Sequence, residues 1–136
     1  MTSPGGDEHI PIVSDRDVVT VRQVFRRYAL EAKLSLVDQT KLVTAASELA
    51  RNTLVYGGGG HALIRLVRTD RRVGVRAAFV DSGPGIADTV SALTDGVTTG
   101  GGLGLGLSGS RRLMDEFDLD TEVGRGTTVT ITKWAR

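Results

Sequence analysis

Residues 100–109 read Gly-Gly-Gly-Leu-Gly-Leu-Gly-Leu-Ser-Gly, and this glycine-rich stretch opens a predicted helix. Glycine-rich backbone at a helix N-terminus presents several N–H donors and the positive end of the helix dipole to an anion. The stretch therefore predicts a phosphate site. Leu103, Leu105 and Leu107 interleave with the glycines and should be buried, which argues against a merely flexible linker.

Two better-known phosphate motifs do not explain this stretch. Residues 104–109 spell G-x-G-x-x-G, but the dinucleotide-binding motif directly follows a buried strand within a βαβ unit. Residues 94–99, Thr-Asp-Gly-Val-Thr-Thr, do not form such a strand. Residues 100–109 also contain no lysine, so the G-x-x-x-x-G-K-[ST] phosphate loop is excluded.

The segments around the glycine stretch predict an α+β fold. Ser14 and Asp15 are candidate caps of a first helix, whose apolar residues recur at helical spacing over residues 16–33. A second helix runs from a cap at Ser35, with Asp38 as its capping-box partner, to about Tyr56. Strands and helices do not alternate strictly, so we expect a two-layer α/β sandwich: a mixed, mostly antiparallel sheet with helices on one face. We expect a disordered leader, residues 1–7, and a single domain, residues 8–136. The other predicted elements are strands 9–13, 62–68, 72–81, 118–123 and 127–134, and helices 86–94 and 107–116.

The composition restricts the possible functions. The chain has 136 residues and a formal net charge of +1, which gives no support for nucleic-acid binding or an anionic membrane surface. It has no cysteine, so disulfides and thiolate metal sites are excluded. No apolar run approaches the roughly 20 residues of a membrane helix. We therefore expect a cytoplasmic protein that binds neither nucleic acid nor membrane.

Three further segments carry candidate chemistry. Glu48 and Asn52 stand at i and i+4 on the second helix, where a carboxylate and a carboxamide oxygen on one face suit Mg²⁺ and proton transfer. Asp81, at the end of an apolar strand, opens Asp-Ser-Gly-Pro-Gly and could accept a hydrogen bond from an adenine amino group. Residues 124–128, Gly-Arg-Gly-Thr-Thr, place a hydroxyl between the last two strands. Taken singly, each segment is more typical of a solvated helix face or an ordinary turn than of a binding site.

Taken together, these segments resemble the signature of the GHKL (Bergerat-fold) ATPase and kinase superfamily in both order and spacing. The resemblance covers essentially the whole chain after residue 8. The matching boxes are Glu48…Asn52, Asp81-x-Gly83-x-Gly85, Gly102-x-Gly104-x-Gly106 and Gly126-Thr127.

The resemblance implies ATP and Mg²⁺ as cofactors and a role for each matched position. Glu48 would be the general base, and Asn52 would ligate Mg²⁺. Asp81 would bind the adenine amino group, and Thr127 would assist at the base. A lid over the phosphates would span roughly residues 95–105. Further nucleotide contacts are implied for Gly83, Gly85, Ile86, Gly102, Leu103, Gly104, Leu105 and Gly106.

Within the superfamily, the chain resembles the anti-sigma-factor serine/threonine kinases, and among them the RsbT-type switch kinases of the stressosome. This implies a kinase that phosphorylates a STAS-domain antagonist or scaffold protein. Once released, such a kinase binds and activates a PP2C-type phosphatase or another output protein. The similar stretches are residues 48–52, 81–86, 95–99, 112–117 and 133–134.

Alternative functions remain open at this point. The chain could be an anti-sigma factor or partner-switch module that binds ATP and acts by sequestration, although the presence of both Glu48 and Asn52 favours retained chemistry. It could also be a free-standing ATPase, or a sensor-kinase fragment that autophosphorylates on His9 or His61. No Lys or Arg lies between Arg76 and Arg111, so we expect slow turnover that depends on the docked substrate. Arg51 is a second candidate cation.

Overall fold

The strands form one antiparallel sheet in the order β1-β2-β3-β5-β4. The computed structural model describes residues 7–93 and 106–136, apart from the side chains of residues 91 and 92. The predicted leader lies outside these residues, except for Asp7. The elements are β1 Glu8–Ile12, α1 Asp15–Glu31, α2 Leu36–Val55, β2 Gly60–Arg68, β3 Val73–Asp81, α3 Thr89–Leu93, α4 Leu107–Leu113, β4 Glu116–Glu122 and β5 Gly126–Trp134.

The core lies between the sheet and the helices α1 and α2, which pack against each other and against the strands. Alternate strand residues such as Ile64, Phe79 and Ile131 are fully or almost fully buried, as period-two alternation requires. Phe25 of α1 stacks on Phe79 of β3, with ring centroids 5.6 Å apart. The predicted two-layer α+β architecture is therefore confirmed. None of the described helices is long and apolar enough to cross a bilayer.

Both long helices begin at the predicted caps. The Ser14 backbone N–H donates to Asp17 Oδ2 (3.1 Å) in a capping box, and Ser35 Oγ accepts from the Asp38 backbone N–H (3.1 Å). The Asp38 side chain, however, does not complete a second capping box. Its carboxylate lies 3.6 Å from the ammonium of Lys133 on β5.

Helix α4 ends earlier than predicted. We expected it to reach residue 116, but Met114 is extended (ψ 156°) and Glu116 already belongs to β4. The cause is a long-range contact: Asp115 Oδ2 accepts a 2.7 Å hydrogen bond from the Trp134 backbone N–H. Because this hydrogen bond holds Asp115 beside β5, Asp115 cannot continue α4.

An ion cluster around the buried Lys133 joins β5 to α2 and to the end of α4. Lys133 is only 3% exposed, and its ammonium lies 3.5 Å from Asp115 and donates to the carbonyl of Leu113 (3.1 Å). Arg136 also pairs with Asp115 and Asp38. Burial acts to raise the pKa of Asp115, but the Trp134 N–H and the Lys133 and Arg136 charges hold that pKa below its ordinary value.

The two edge strands differ in how they protect their open sides. Strand β1 carries Pro11, which suits an edge position because proline cannot donate to a ladder. Strand β4 alternates exposed acidic residues with half-buried ones. The acidic side chains that it presents are Glu116, Asp118, Asp120 and Glu122.

Candidate functional site

A narrow cavity opens at the end of the sheet opposite the ion cluster. Of the residues predicted to bind a ligand, the structure brings Asn52, Asp81, Ile86 and Thr127 together in its wall. Its apolar lining comes from the sheet, from α2 and from the start of α4. The remaining lining residues are Leu49, Thr53, Tyr56, Phe79, Leu107 and Val129.

Asp81 is the last residue of β3, and its carboxylate is the charged group of this cavity wall. Its Oδ1 accepts a 2.9 Å hydrogen bond from the backbone N–H of Gly83. Burial raises the pKa of Asp81, and the backbone N–H groups of Gly83 and Thr127 offset only part of that rise. The site thus holds a half-buried carboxylate whose described partners are backbone donors.

Two of the predicted glycines are required by close backbone approach and by conformation. A Cβ on Gly83 would lie 2.7 Å from the Cα of Gly57, so the turn after β3 packs directly on the end of α2. Gly85 has φ +76°, and a Cβ there would lie 2.3 Å from the carbonyl oxygen of Glu122. Any side chain at these positions would push Asp81 or Ile86 away from the cavity.

Two residues that the sequence analysis missed hold this turn in place. The Tyr56 hydroxyl donates to the carbonyl of Gly85 (2.9 Å). The Thr121 hydroxyl accepts from the Ile86 backbone N–H (2.9 Å) and lies 2.8 Å from the Thr127 hydroxyl. Tyr56 follows Asn52 by four residues, so helical spacing could have suggested it. Thr121 had no comparable local signal.

Glu48 lies one helical turn before Asn52, beside the start of α4. Gly106 caps that helix with φ +68°, and a Cβ on it would lie 2.7 Å from Glu48 Oε2. Glu48 and Gly106 line a cleft next to the cavity. Gly102, Leu103, Gly104 and Leu105, with the predicted lid over residues 95–105, lie outside the described residues. Arg51 is exposed and does not line either space.

The arrangement provides the donor and acceptor types that a nucleotide requires. A carboxylate and a hydroxyl in an apolar cavity can recognise the polar edge of a flat ring. The Asn52 side chain lies in the same cavity, and one carboxamide oxygen fits a Mg²⁺ ion that keeps its waters and phosphate ligands. Glu48 lies in the adjoining cleft beside the start of α4, and a carboxylate there can in principle accept a proton.

The chain is similar in sequence to one protein family and to two known bacterial proteins. The family model described as "Histidine kinase-, DNA gyrase B-, and HSP90-like ATPase" matches residues 37–136. The chain is 42% identical to the serine/threonine-protein kinase RsbT of Bacillus subtilis over 127 residues, covering 93% of this chain and 96% of that protein. It is 29% identical to the anti-sigma F factor of Clostridium beijerinckii over 121 residues, covering 82% and 85%.

Two solved structures share the fold. One contains the RsbU and RsbW domains of a Mycobacterium tuberculosis protein, with a TM-score of 0.62 and 22% identity, covering 93% of this chain and 31% of that one. The other is the SiaB–SiaC complex of Pseudomonas aeruginosa, with a TM-score of 0.52 and 13% identity, covering 93% and 89%. At these identities the likeness concerns the fold alone.

Proposed function

Because the chain belongs to the family of histidine kinase-, DNA gyrase B- and HSP90-like ATPases, we propose that it is an ATP-dependent serine/threonine kinase of a bacterial partner-switching pathway. It phosphorylates a STAS-domain antagonist or scaffold protein in the cytoplasm. When released, it binds and activates a PP2C-type phosphatase or another output protein. The observation that carries this proposal is the convergence of Asn52, Asp81 and Thr127 on one cavity, with Glu48 beside it.

The cavity binds the adenine ring. The Asp81 carboxylate accepts a hydrogen bond from the exocyclic amino group, and the Thr127 hydroxyl assists at the ring edge. Ile86 and Phe79 supply the apolar surface that excludes water from this contact. The fixed turn, held by Tyr56 and Thr121, keeps the Asp81 carboxylate oriented before the nucleotide arrives.

Phosphates lie toward the start of α4. Residues 102–106 supply backbone N–H donors to them, as the glycine pattern predicts. Asn52 would hold Mg²⁺, and the bound ion would neutralise charge on the phosphates. This chain's own task in the reaction is to position the groups and to remove one proton.

Glu48 is the proton acceptor. The acceptor protein's Ser or Thr hydroxyl oxygen forms a bond to the γ-phosphorus, the bond from that phosphorus to the ADP oxygen breaks, and the hydroxyl proton passes to the Glu48 carboxylate. No Lys or Arg lies between Arg76 and Arg111, so a lid cation does not assist, and turnover is slow without the docked acceptor. Single-turnover ATP consumption with and without the STAS protein tests this dependence, and equal rates would contradict it.

A Glu48→Gln variant tests the function itself. Loss of a general base lowers phosphoryl transfer about 100-fold or more, whereas ATP affinity stays within about threefold because Glu48 lies outside the adenine cavity. Transfer from labelled ATP to a purified STAS-domain protein measures the first, and titration with a fluorescent nucleotide measures the second. Glu31→Gln, at an exposed position on α1, is the matched control. Unchanged transfer by the Glu48 variant would refute the proposed role.

A second candidate function is sequestration without phosphoryl transfer, favoured by the similarity to an anti-sigma F factor. It predicts nucleotide-dependent binding of a partner with no label on that partner. A free-standing ATPase would instead release phosphate steadily without an acceptor. A sensor-kinase fragment would label its own His9 or His61, which lie on β1 and β2 with their ring centroids 4.8 Å apart.

A further inference from the structure

An apolar patch is exposed where α1 turns into α2, at the ion-cluster end of the sheet. Leu30 (59% exposed), Leu36 (77%) and Val37 (63%) form this turn patch. We propose that the turn patch and the cations around it dock an acidic amphipathic helix of the PP2C-type phosphatase. This inference rests on the proposed function and assigns the surface through which the released chain binds its output protein.

The side chains of the turn patch lie along the seam between the two helices. Arg22 on α1 donates to the Ser47 hydroxyl on α2 (3.1 Å), which identifies the sides of the helices that face each other. Leu36 precedes Ser47 by three helical turns on α2. Leu30 follows Arg22 by about two turns on α1, rotated toward solvent. Exposed apolar side chains are ordinary when scattered, but a contiguous group of them marks an interaction site.

Three cations flank the turn patch. Arg26 lies four residues before Leu30, and Lys41 lies four residues after Val37, so each shares a helix face with a patch side chain. Lys33 lies in the turn itself. Within the described parts of the chain, none of these three cations forms an ion pair with an acid. Their charges are therefore available to a partner.

The acids near the turn patch are already paired. Glu31 lies 4.0 Å from Arg27, and Asp38 is buried beside Lys133 (3.6 Å) and Arg136 (3.7 Å). The charge exposed around the turn patch is therefore positive. Interfaces between proteins match opposite charges, so a partner of this surface carries acids beside its own apolar side chains.

Lys33 is held in an unfavourable backbone conformation. It has φ +62°, and it is the only non-glycine residue with a positive φ in the described part of the chain. It occupies the position after the end of α1 that usually holds glycine, since the Leu34 N–H bonds to the Ala29 carbonyl across it (3.0 Å). A lysine where glycine would relax the backbone indicates a function for the ammonium group.

A helix is the partner element that this surface fits. The turn patch belongs to two helices and has no open strand edge, so an added strand could not pair with it. An amphipathic helix presents an apolar stripe with charged residues on both sides, which matches apolar side chains flanked by cations. Nucleic acid is also negative, but its phosphates would leave Leu36 and Val37 uncovered.

Lys33→Gly in the full chain separates docking from folding. Glycine suits this backbone conformation, so the midpoint of urea unfolding should equal or exceed that of the wild type. The probe is the PP2C-type phosphatase that the wild-type chain activates, and its Kd should rise about fivefold at low salt. Arg125→Gly removes an exposed cation from the β4–β5 turn at the other end of the sheet and should leave this Kd unchanged.

Leu36→Glu places an acid where the partner's acids should lie. Leu36 is the first residue of α2, where a carboxylate suits the helix dipole, so folding should be preserved. The Kd for the phosphatase should rise about tenfold or more, because apolar contact is lost and like charges face each other. Val123→Glu makes the same change at an exposed site near the cavity and should leave the Kd unchanged. Both α1–α2 variants should phosphorylate the STAS protein at the wild-type rate.

Salt gives a readout that a merely structural role of Lys33 would not move. The wild-type Kd should rise with sodium chloride concentration, because salt screens the cations around the turn patch. The rise should be less steep in Lys33→Gly, which has one charge fewer. Arg125→Gly should keep the wild-type salt dependence.

Three results would overturn the inference. Wild-type affinity for the phosphatase in both Lys33→Gly and Leu36→Glu would show that the turn patch is not the interface. Binding of the wild-type chain to phosphatidylglycerol vesicles, lost in both variants while phosphatase affinity is unchanged, would assign the patch to a membrane surface. If the wild-type chain activates no PP2C-type phosphatase, the output half of the proposed function fails and this inference falls with it. Labelling of the STAS protein, measured separately, distinguishes that failure from a failure of the kinase.

Discussion

The two ends of the sheet hold carboxylates that the fold treats in opposite ways. Asp81 terminates β3 at the cavity, and burial raises its pKa above the ordinary value. Asp115 lies at the other end, where burial is outweighed by the Trp134 N–H and the Lys133 and Arg136 charges, so its pKa is lowered. One acid is partly desolvated with backbone donors, and the other is surrounded by cations of its own chain.

This difference separates a binding group from a structural group. Asp115 gains its partners when the chain folds, so its interactions contribute to folding stability. Asp81 loses water on folding and, among the described residues, accepts hydrogen bonds from two backbone N–H groups, so it retains accepting capacity for a ligand. A raised carboxyl pKa in an open cavity therefore marks the functional end of this sheet.

Removing the buried ammonium of Lys133 should have the largest effect, a loss of folding stability. Lys133→Met removes the buried ammonium and leaves the buried Asp38 and the more exposed Asp115 with Arg136 as their described cation. Breaking a buried pair costs about 3–5 kcal/mol of unfolding free energy, and we expect a loss at the lower end of that range, about 3 kcal/mol, because Arg136 remains. Urea unfolding followed by circular dichroism measures the loss, and exposed Lys33→Met is the control. ATP affinity of the folded fraction should stay within about twofold, since the cavity lies at the other end. A selective loss of ATP affinity in the Lys133 variant would contradict the assignment of a structural role to this end of the sheet.

Asp81→Asn should have the opposite effect, weakening ATP binding while leaving folding stability unchanged. The amide cannot accept as a carboxylate does and presents an NH₂ group toward the adenine amino group, so we expect a loss of about 2–3 kcal/mol in ATP binding, or roughly 30- to 150-fold. Stability should not fall, because a neutral side chain avoids the desolvation that raises the Asp81 pKa. Calorimetric titration with ATP and thermal unfolding measure the two quantities. Exposed Asp120→Asn should change neither.

A pH titration gives the smallest effect and sharpens the contrast. Asp81 accepts from adenine only as the carboxylate, so affinity falls as pH drops through its raised pKa, above the range of an ordinary aspartate. Asp115 has a lowered pKa, so its stabilisation is present above its unfolded pKa and is lost only as pH falls through the folded value. Binding should therefore weaken, by a few-fold at first, while the chain remains folded.

Adenosine is the suitable ligand for that titration because it carries no phosphates that titrate. Its dissociation constant and the circular dichroism signal are followed down the same pH series. The Asp81→Asn variant should lose the pH dependence of adenosine binding while unfolding in the same acid range. Simultaneous loss of binding and structure in the wild type would count against the distinction between the two acids.

Much of the fold was predictable because it depends on local chemistry. The apolar spacing of α1 and α2, the caps at Ser14 and Ser35, and the alternation of β3 act within a few residues. These features fixed the element types and most boundaries. The order of the glycine and acid segments then indicated the superfamily, to which the chain belongs.

The parts that could not be predicted depend on distant contacts. Helix α4 ends at Leu113 because Asp115 bonds to a backbone group 19 residues later. Tyr56 and Thr121 support the cavity through bonds that cross 29 and 35 residues. The sequence analysis assigned Asp38 to a capping box because the residue with which it pairs, Lys133, lies far along the chain on β5. Periodicity along the chain contains no information on such pairs. The nucleotide roles of the cavity residues remain predictions.

The acidic side chains along β4 have a consequence for the protein at high concentration. Strand β4 is an edge, and an unprotected edge can template the addition of further strands until fibres form. Two copies meeting along β4 would oppose the exposed Asp118 and Asp120 of one copy to carboxylates of the other. Because this repulsion is screened beyond about 10 Å at 0.1 M ionic strength, it acts only at close approach. The strand thus resists self-association at the moment when aggregation would begin.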